Sequence, residues 1–122
     1  EVDGEVVDGV HRGRTIGFPT ANLDVPADRL VPANGVYATW AIVAGQRHAS
    51  VTNIGVRPSF DNGQRTVETH LLDFHGDLYG QNLVLEFVAR LRPEMRFSGI
   101  DALREQIARD VEAARGLLQD GP

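Results

Sequence analysis

Hydrophobic and polar positions alternate with one period along most of the chain and with another at its end. Over residues 65–74, Val67, Thr69 and Leu71 fall on one side while Thr66, Glu68, His70 and Leu72 fall on the other. Period two predicts a strand with one buried face. Residues 83–91 repeat the pattern, with Leu83, Leu85, Phe87, Ala89 and Leu91 in phase. The β-branched and aromatic stretch at 35–44 (GVYATWAIVA) predicts another strand. Its partner follows over 47–53, after a turn at Ala44-Gly45-Gln46, and a short first strand is expected over 5–10. Trp40 lies in the apolar strand and is expected in the core. Past residue 98 the spacing becomes three and four: Ile100, Leu103, Ile107, Val111, Ala114 and Leu118 mark one face of a helix. Arg104, Glu105, Arg109 and Glu112 fill the opposite face, and Ser98 with Asp101 resembles a capping box with Asp in place of Glu. The apolar stripe is a packing face. Strands first and a helix last predict a mainly β protein, an antiparallel barrel with the helix packed on it.

Two stretches fit neither period. Residues 9–34 are rich in Gly, Pro, Asp and Asn, and residues 54–64 carry Pro58 and the turn former Asp61-Asn62-Gly63. Both read as loops, and a loop as long as the first is usually functional. A further turn is expected over 75–80.

A chain of 122 residues suits one domain, 1–122. With no cysteine, disulfides and thiolate metal sites are excluded, which fits a reducing cytoplasm. No apolar run is long enough for a membrane helix, and the acidic start, EVDGEVVDGV, is no signal peptide. A formal charge of −5 argues against nucleic acid as a partner, because releasing counterions takes a basic surface. A small phosphorylated ligand stays open, since a few local donors can hold it. None of the 4 histidines pairs with another at zinc spacing.

The candidate chemistry lies in the first loop. Gly9, Gly13 and Gly17 recur every four residues in GVHRGRTIG. This is neither the Walker pattern nor the dinucleotide fingerprint. Such glycines let the backbone bend sharply, and successive N–H groups in the bend can cradle an anion. Thr20 carries a hydroxyl able to ligate Mg²⁺, and the Asn22 amide can bond a phosphate or a metal-bound water. Each feature also has an ordinary reading, as a glycine-rich connection and a Pro-initiated turn. These residues alone leave both open.

GRTIGFPTANL resembles the signature of riboflavin kinase, most closely the C-terminal kinase module of bacterial bifunctional FAD synthetases. GVYATWA, VTNIGVRPSF, VETHLLDF, GDLYGQNLVLEFV and LRPEMRF follow in the family's order, so the resemblance covers nearly the whole chain. Ser59 departs from the Thr more usual there but keeps a hydroxyl.

The resemblance implies a six-stranded antiparallel Greek-key barrel of the riboflavin kinase-like split type with a C-terminal helix. It implies transfer of the ATP γ-phosphoryl group to the 5′-hydroxyl of riboflavin, giving FMN and ADP. Gly9, His11, Gly13, Arg14, Gly17 and Pro19 would cradle the ATP phosphates, and Tyr79 would flank the adenine. Thr20 and Asn22 would hold Mg²⁺ with the phosphates, and Glu68 would be the general base. Arg92, Met95, Arg96 and Phe97 would border the flavin; Phe97 can also staple the helix to the barrel. His70 reads as structural; the family places the Asn53 segment close to the active centre, and Asn53 reads as ordering its loop, with direct ligand contact as the second reading. The family usually carries an N-terminal adenylyltransferase domain, and nothing here resembles its motifs, so the expectation is an excised module or a stand-alone kinase making FMN. Two other readings are a non-catalytic flavin-binding barrel, which needs neither Glu68 nor the Thr20/Asn22 pair, and an oligonucleotide-binding barrel, which wants a basic groove with exposed aromatics; aromatics are 7% here.

Overall fold

In the β3–β4 hairpin, Ala44 and Gly45 form a two-residue turn with φ of 52° and 79°. Positive φ at both positions gives a turn whose twist matches the strands it joins. From that turn β3 (Gly35–Val43) and β4 (Gln46–Val56) pair without a break, from Val43↔Gln46 to Gly35↔Ile54. The computed structural model describes residues 2–10, 20–25, 32–56, 65–72, 80–95 and 97–118. The remaining strands are β1 (Val2–Val10), β2 (Thr20–Asp24), β5 (Arg65–Leu71) and β6 (Asn82–Arg92), and α1 spans Ile100–Leu118. The strands close a barrel in the order β1-β2-β5-β4-β3-β6, with every neighbouring pair antiparallel. The expected six-stranded antiparallel barrel with a terminal helix is what forms.

One set of alternating residues fills the barrel. Val6, Ala21, Leu23, Tyr37, Ala41, Val43, Ile54, Val67, Leu71, Leu83 and Leu85 make the interior cluster. Phe87 packs on it, edge-on to Tyr37 with ring centroids 5.1 Å apart. The same interior holds a chain of buried hydroxyls. Thr69 donates to the Val51 carbonyl at 3.3 Å and Thr52 to Thr69 at 2.9 Å. That leaves Thr39 to donate to Thr52, also at 2.9 Å, since a hydroxyl carries one proton. Ser50 donates back to the Thr39 carbonyl at 3.1 Å. The chain crosses β3, β4 and β5 and ties their registers together.

The helix covers the outside. Val36, Ala38 and Val51 on the outer face pack with Leu72, Val111, Ala114 and Leu118, and Trp40, Ala49, Leu91 and Ile107 join them. Trp40 is therefore half-buried under the helix with the Arg47 guanidinium 4.7 Å from its ring, and not in the barrel interior.

Further expectations need correction. The long loop contains a strand, β2, and β4 runs on to Val56. Leu91 does not share a face with Leu83 and Leu85. The β3–β6 pairing skips a β6 residue between Ala38↔Ala89 and Thr39↔Phe87, and again between Val36↔Arg92 and Tyr37↔Arg90. Each β-bulge shifts the phase by one residue, which sends Leu91 to the helix side. Ile100 is 55% exposed, so the packing face begins later along α1. Finally, the first helical bond runs from the Leu103 N–H to the Gly99 carbonyl. Gly99 thus occupies the cap position, and the Ser98/Asp101 pair sits one residue out of register.

Truncating a fully buried interior side chain leaves a cavity the closed barrel cannot collapse. Ile54→Ala is expected to lower unfolding stability by about 2–5 kcal/mol, read as a lower urea midpoint at unchanged slope.

Candidate functional site

Pairing across the outer face brings distant residues into one row. Asn22 on β2 pairs with Glu68 on β5, and Glu68 pairs with Asn53 on β4. The row continues through Val36 on β3 to Arg92 on β6. Directly paired residues have Cβ atoms about 4.5–5.5 Å apart, so one carboxylate stands between two carboxamides. The cause is local: Ala21, Leu23 and Val67 point into the barrel, and period two then turns Asn22 and Glu68 outward. Asn22, Glu68 and Asn53 are all half-buried. The Oδ1 of Asn53 is buried and meets no hydrogen-bond donor among the described residues.

The row's edge is closed by the segment after β6. Gly55 lies two residues beyond Asn53, on the same face, and the Glu94 carboxylate occupies the space where a Cβ would stand. A side chain here would displace Glu94, so the glycine lets residues 93–95 lie against β4.

Arg92 is engaged elsewhere. Its guanidinium grips Asp110 of α1 in a fork, with Nε to Oδ1 at 3.0 Å and Nη2 to Oδ2 at 2.8 Å. The side chains are 14% and 5% exposed. Gln106 adds a bond to Asp110 at 3.0 Å, Arg92 Nη1 donates to the Pro93 carbonyl at 3.2 Å, and the Phe97 ring centroid lies 5.6 Å from the guanidinium carbon. Arg92 thus joins the barrel, the 93–97 segment and the helix. Sequence reasoning missed Asp110, although the signal was there: it follows Ile107 by three and precedes Val111, on the stripe where only apolar residues were sought.

Of the other sequence-derived candidates, Gly9 lies in β1 and Thr20 opens β2, its backbone paired with Val10. Met95 is exposed and Phe97 half-buried. His11, Gly13, Arg14, Gly17, Pro19, Tyr79 and Arg96 lie outside the described residues. His70 faces outward beside Val51, two residues along the strand from Glu68. Among the described residues no cluster of three or more His, Cys, Asp or Glu could hold a metal. The row offers oxygen donors of carboxylate and amide type.

The flavokinase family model, that of riboflavin kinase, matches residues 1–118. The chain belongs to the riboflavin kinase family. It is 45% identical over 116 residues to the bifunctional riboflavin kinase/FMN adenylyltransferase of Escherichia coli K12, covering 93% of this chain and 36% of that protein. The chain thus spans little more than a third of such curated relatives' length. Riboflavin kinase from Trypanosoma brucei superposes with a TM-score of 0.75 at 28% identity, over 98% of this chain and 77% of that one. A Streptococcus pneumoniae protein described as a macrolide-efflux protein superposes with a TM-score of 0.87 at 34% identity, over 93% of this chain and 38% of its own. Thr20-Ala21-Asn22 of the PTAN motif and Val67-Glu68-Thr69-His70 of the VETH motif lie on β2 and β5, which the Asn22↔Glu68 pair joins.

Removing one partner of the Arg92–Asp110 pair strands a mostly buried charge. Asp110→Ala is expected to cost about 3–5 kcal/mol in urea unfolding, while replacing both residues by apolar ones of similar size recovers most of the loss. A loss of under about 1 kcal/mol in the single variant would show that the fork does not hold the helix.

Proposed function

We propose that this chain is a riboflavin kinase module that transfers the γ-phosphoryl group of ATP to the 5′-hydroxyl of riboflavin, yielding FMN and ADP. The observation that carries the reading is the half-buried Glu68 carboxylate between Asn22 and Asn53 in one outward-facing row. Phosphoryl transfer is mainly positioning and charge stabilisation, with one group to take the hydroxyl proton. Glu68 is that group: it accepts the proton as the oxygen bonds to phosphorus.

The β2 flank is assigned to the nucleotide. Thr20 and Asn22 lie on β2, directly after the glycine-rich sequence 9–19, and that sequence, with Gly9, His11, Gly13, Arg14, Gly17 and Pro19, is assigned the phosphates. A divalent ion, Mg²⁺ in this reading, fits the donor set. It favours hard oxygen ligands, keeps few from the protein and takes the rest from phosphates and water, which accords with the lack of a carboxylate cluster among the described residues. Thr20 and Asn22 would hold it, and bound there it would neutralise phosphate charge. Tyr79 is assigned to the adenine.

The flavin is assigned to the segment after β6, with Met95, Arg96 and Phe97 as contacts. Arg92 acts there by fixing Phe97 and the loop, because three of its five N–H groups are given to Asp110 and Pro93. Of the two activities named for the bifunctional relatives, the kinase is the one we assign to these residues. The exposed polar face of the helix and the absence, among the described residues, of a helix long and apolar enough to cross a membrane are consistent with the cytoplasmic setting we assign.

Incubating the chain with riboflavin, ATP and Mg²⁺ and separating the flavins by chromatography tests the reading. FMN and no FAD is expected; no ATP-dependent FMN would defeat it and leave a flavin-binding barrel. Glu68→Gln is expected to lower kcat by about 10²–10⁴-fold with the unfolding midpoint unchanged, and turnover near that of the parent would remove Glu68 from the mechanism.

A further inference from the structure

A buried acceptor with no donor is costly, because the group has left water and gained nothing in return. Asn53 Oδ1 is such an acceptor among the described residues. It lies on the outer face, directly paired with Glu68. An orphan of this kind beside a reacting group points to a partner that arrives with the substrate. That partner must bring a proton or a positive charge; a phosphate oxygen brings neither.

The row's order chooses between them. Asn22 flanks Glu68 on the β2 side, the strand that follows the glycine-rich sequence, and Asn53 flanks it on the β4 side, where the Glu94 carboxylate lies against Gly55. If the base stands beside the point where the attacking oxygen meets phosphorus, with the nucleotide to one side and the alcohol to the other, the two carboxamides serve opposite sides. The β4 side is the alcohol side, and the molecule arriving there is a polyol chain rich in hydroxyl donors. We propose that Asn53 is a substrate-binding residue whose Oδ1 accepts a hydrogen bond from the ribityl hydroxyl next to the one phosphorylated, the 4′-hydroxyl. Adjacent hydroxyls on one chain suit adjacent residues on paired strands: Glu68 takes the terminal hydroxyl and Asn53 its neighbour. The inference rests on the kinase reading for the identity of the polyol. The bond would hold the 5′-oxygen in line with the phosphate and reject alcohols that lack the neighbouring hydroxyl.

The test compares riboflavin with 4′-deoxyriboflavin on the parent chain, Asn53→Ala and Asn53→Val. Valine is the second variant because it is a good strand former and removes the orphan acceptor, so it is expected to unfold at no lower temperature than the parent. Two readouts are taken: kcat/KM for each flavin, and flavin fluorescence titration without ATP. The parent is expected to prefer riboflavin roughly 5- to 100-fold, the range set by leaving a buried acceptor unpaired. Both variants are expected to treat the two flavins alike, with the KM for ATP unchanged. A parent without preference, or variants that keep it, would overturn the proposal. So would an altered divalent-metal requirement with the preference intact, which would place Asn53 on the phosphate side. If the parent makes no FMN, the kinase reading fails on its own, and the titration still decides whether Asn53 reads the hydroxyl.

Discussion

The register between β2 and β5 is the constraint on which the outer face depends. Leu23↔Val67 and Asn22↔Glu68 are successive pairs of one ladder. A slip of one residue would exchange the faces, because side chains alternate strictly along a strand. Glu68 would then enter an apolar interior, and Val67 would face the solvent. The interior forbids that exchange: Ala21, Leu23, Val67 and Leu71 belong to its apolar cluster, and an unpaired carboxylate there would be far costlier than any strand contact is favourable. The hydroxyl chain adds direction on the other flank. Thr39, Thr52 and Thr69 satisfy one another only when β3, β4 and β5 hold their present alignment, and that alignment puts Asn53 against Glu68. The site's geometry is thus set from inside the barrel by residues that never reach it.

The helix solves a second problem. Val36, Ala38 and Val51 leave an apolar strip on the outer face, and Val111, Ala114 and Leu118 cover it. Apolar packing is tolerant of sliding, because it has no fixed direction. The fork between Arg92 and Asp110 is not. Its net contribution to stability is small once the desolvation of both charges is set against their attraction. Its effect is to fix where along the barrel the helix docks, and with Phe97 and Pro93 attached to the same guanidinium, where the segment after β6 lies.

Elements with a clean period were legible in the sequence. The β3–β4 hairpin, the two faces of β5 and the polar face of α1 follow from alternation or 3.6 spacing that no neighbour disturbs. The misses share a cause: each depends on a partner distant in the chain. β2 is five residues long and follows glycine-rich sequence; only pairing with β1 and β5 makes TANLD a strand. The phase change in β6 comes from bulges against β3, which a count of apolar residues along one strand cannot detect. Asp110 carries no local sign of pairing because its partner is 18 residues away. For the site, the PTAN and VETH motifs pointed to Asn22 and Glu68, but their direct pairing is a property of sheet topology. Asn53 was legible as a residue near the centre and not as a member of the row, since its place depends on β4 continuing to Val56.

The charge pattern of the row bears on how such a face could meet a nucleotide. All 12 basic residues of the chain are arginine; there is no lysine. The arginine within the row is neutralised by Asp110. Asn22, Glu68 and Asn53 together therefore carry no positive charge, and a triphosphate brought beside Glu68 would meet a like charge. Two features of the chain answer this repulsion. Carboxamides flanking the carboxylate supply dipoles without adding to the negative charge. Under the proposed assignment, the glycine-rich sequence before β2 would supply main-chain N–H groups, which can bind phosphate oxygens without a formal cation. What remains uncompensated is the charge that a divalent ion carries best, held by hard oxygen ligands and completed by the phosphates themselves. In the proposed reading, a row built this way would bind a nucleotide weakly without the ion. A lysine in the same row would have held the phosphates at the expense of Glu68's basicity.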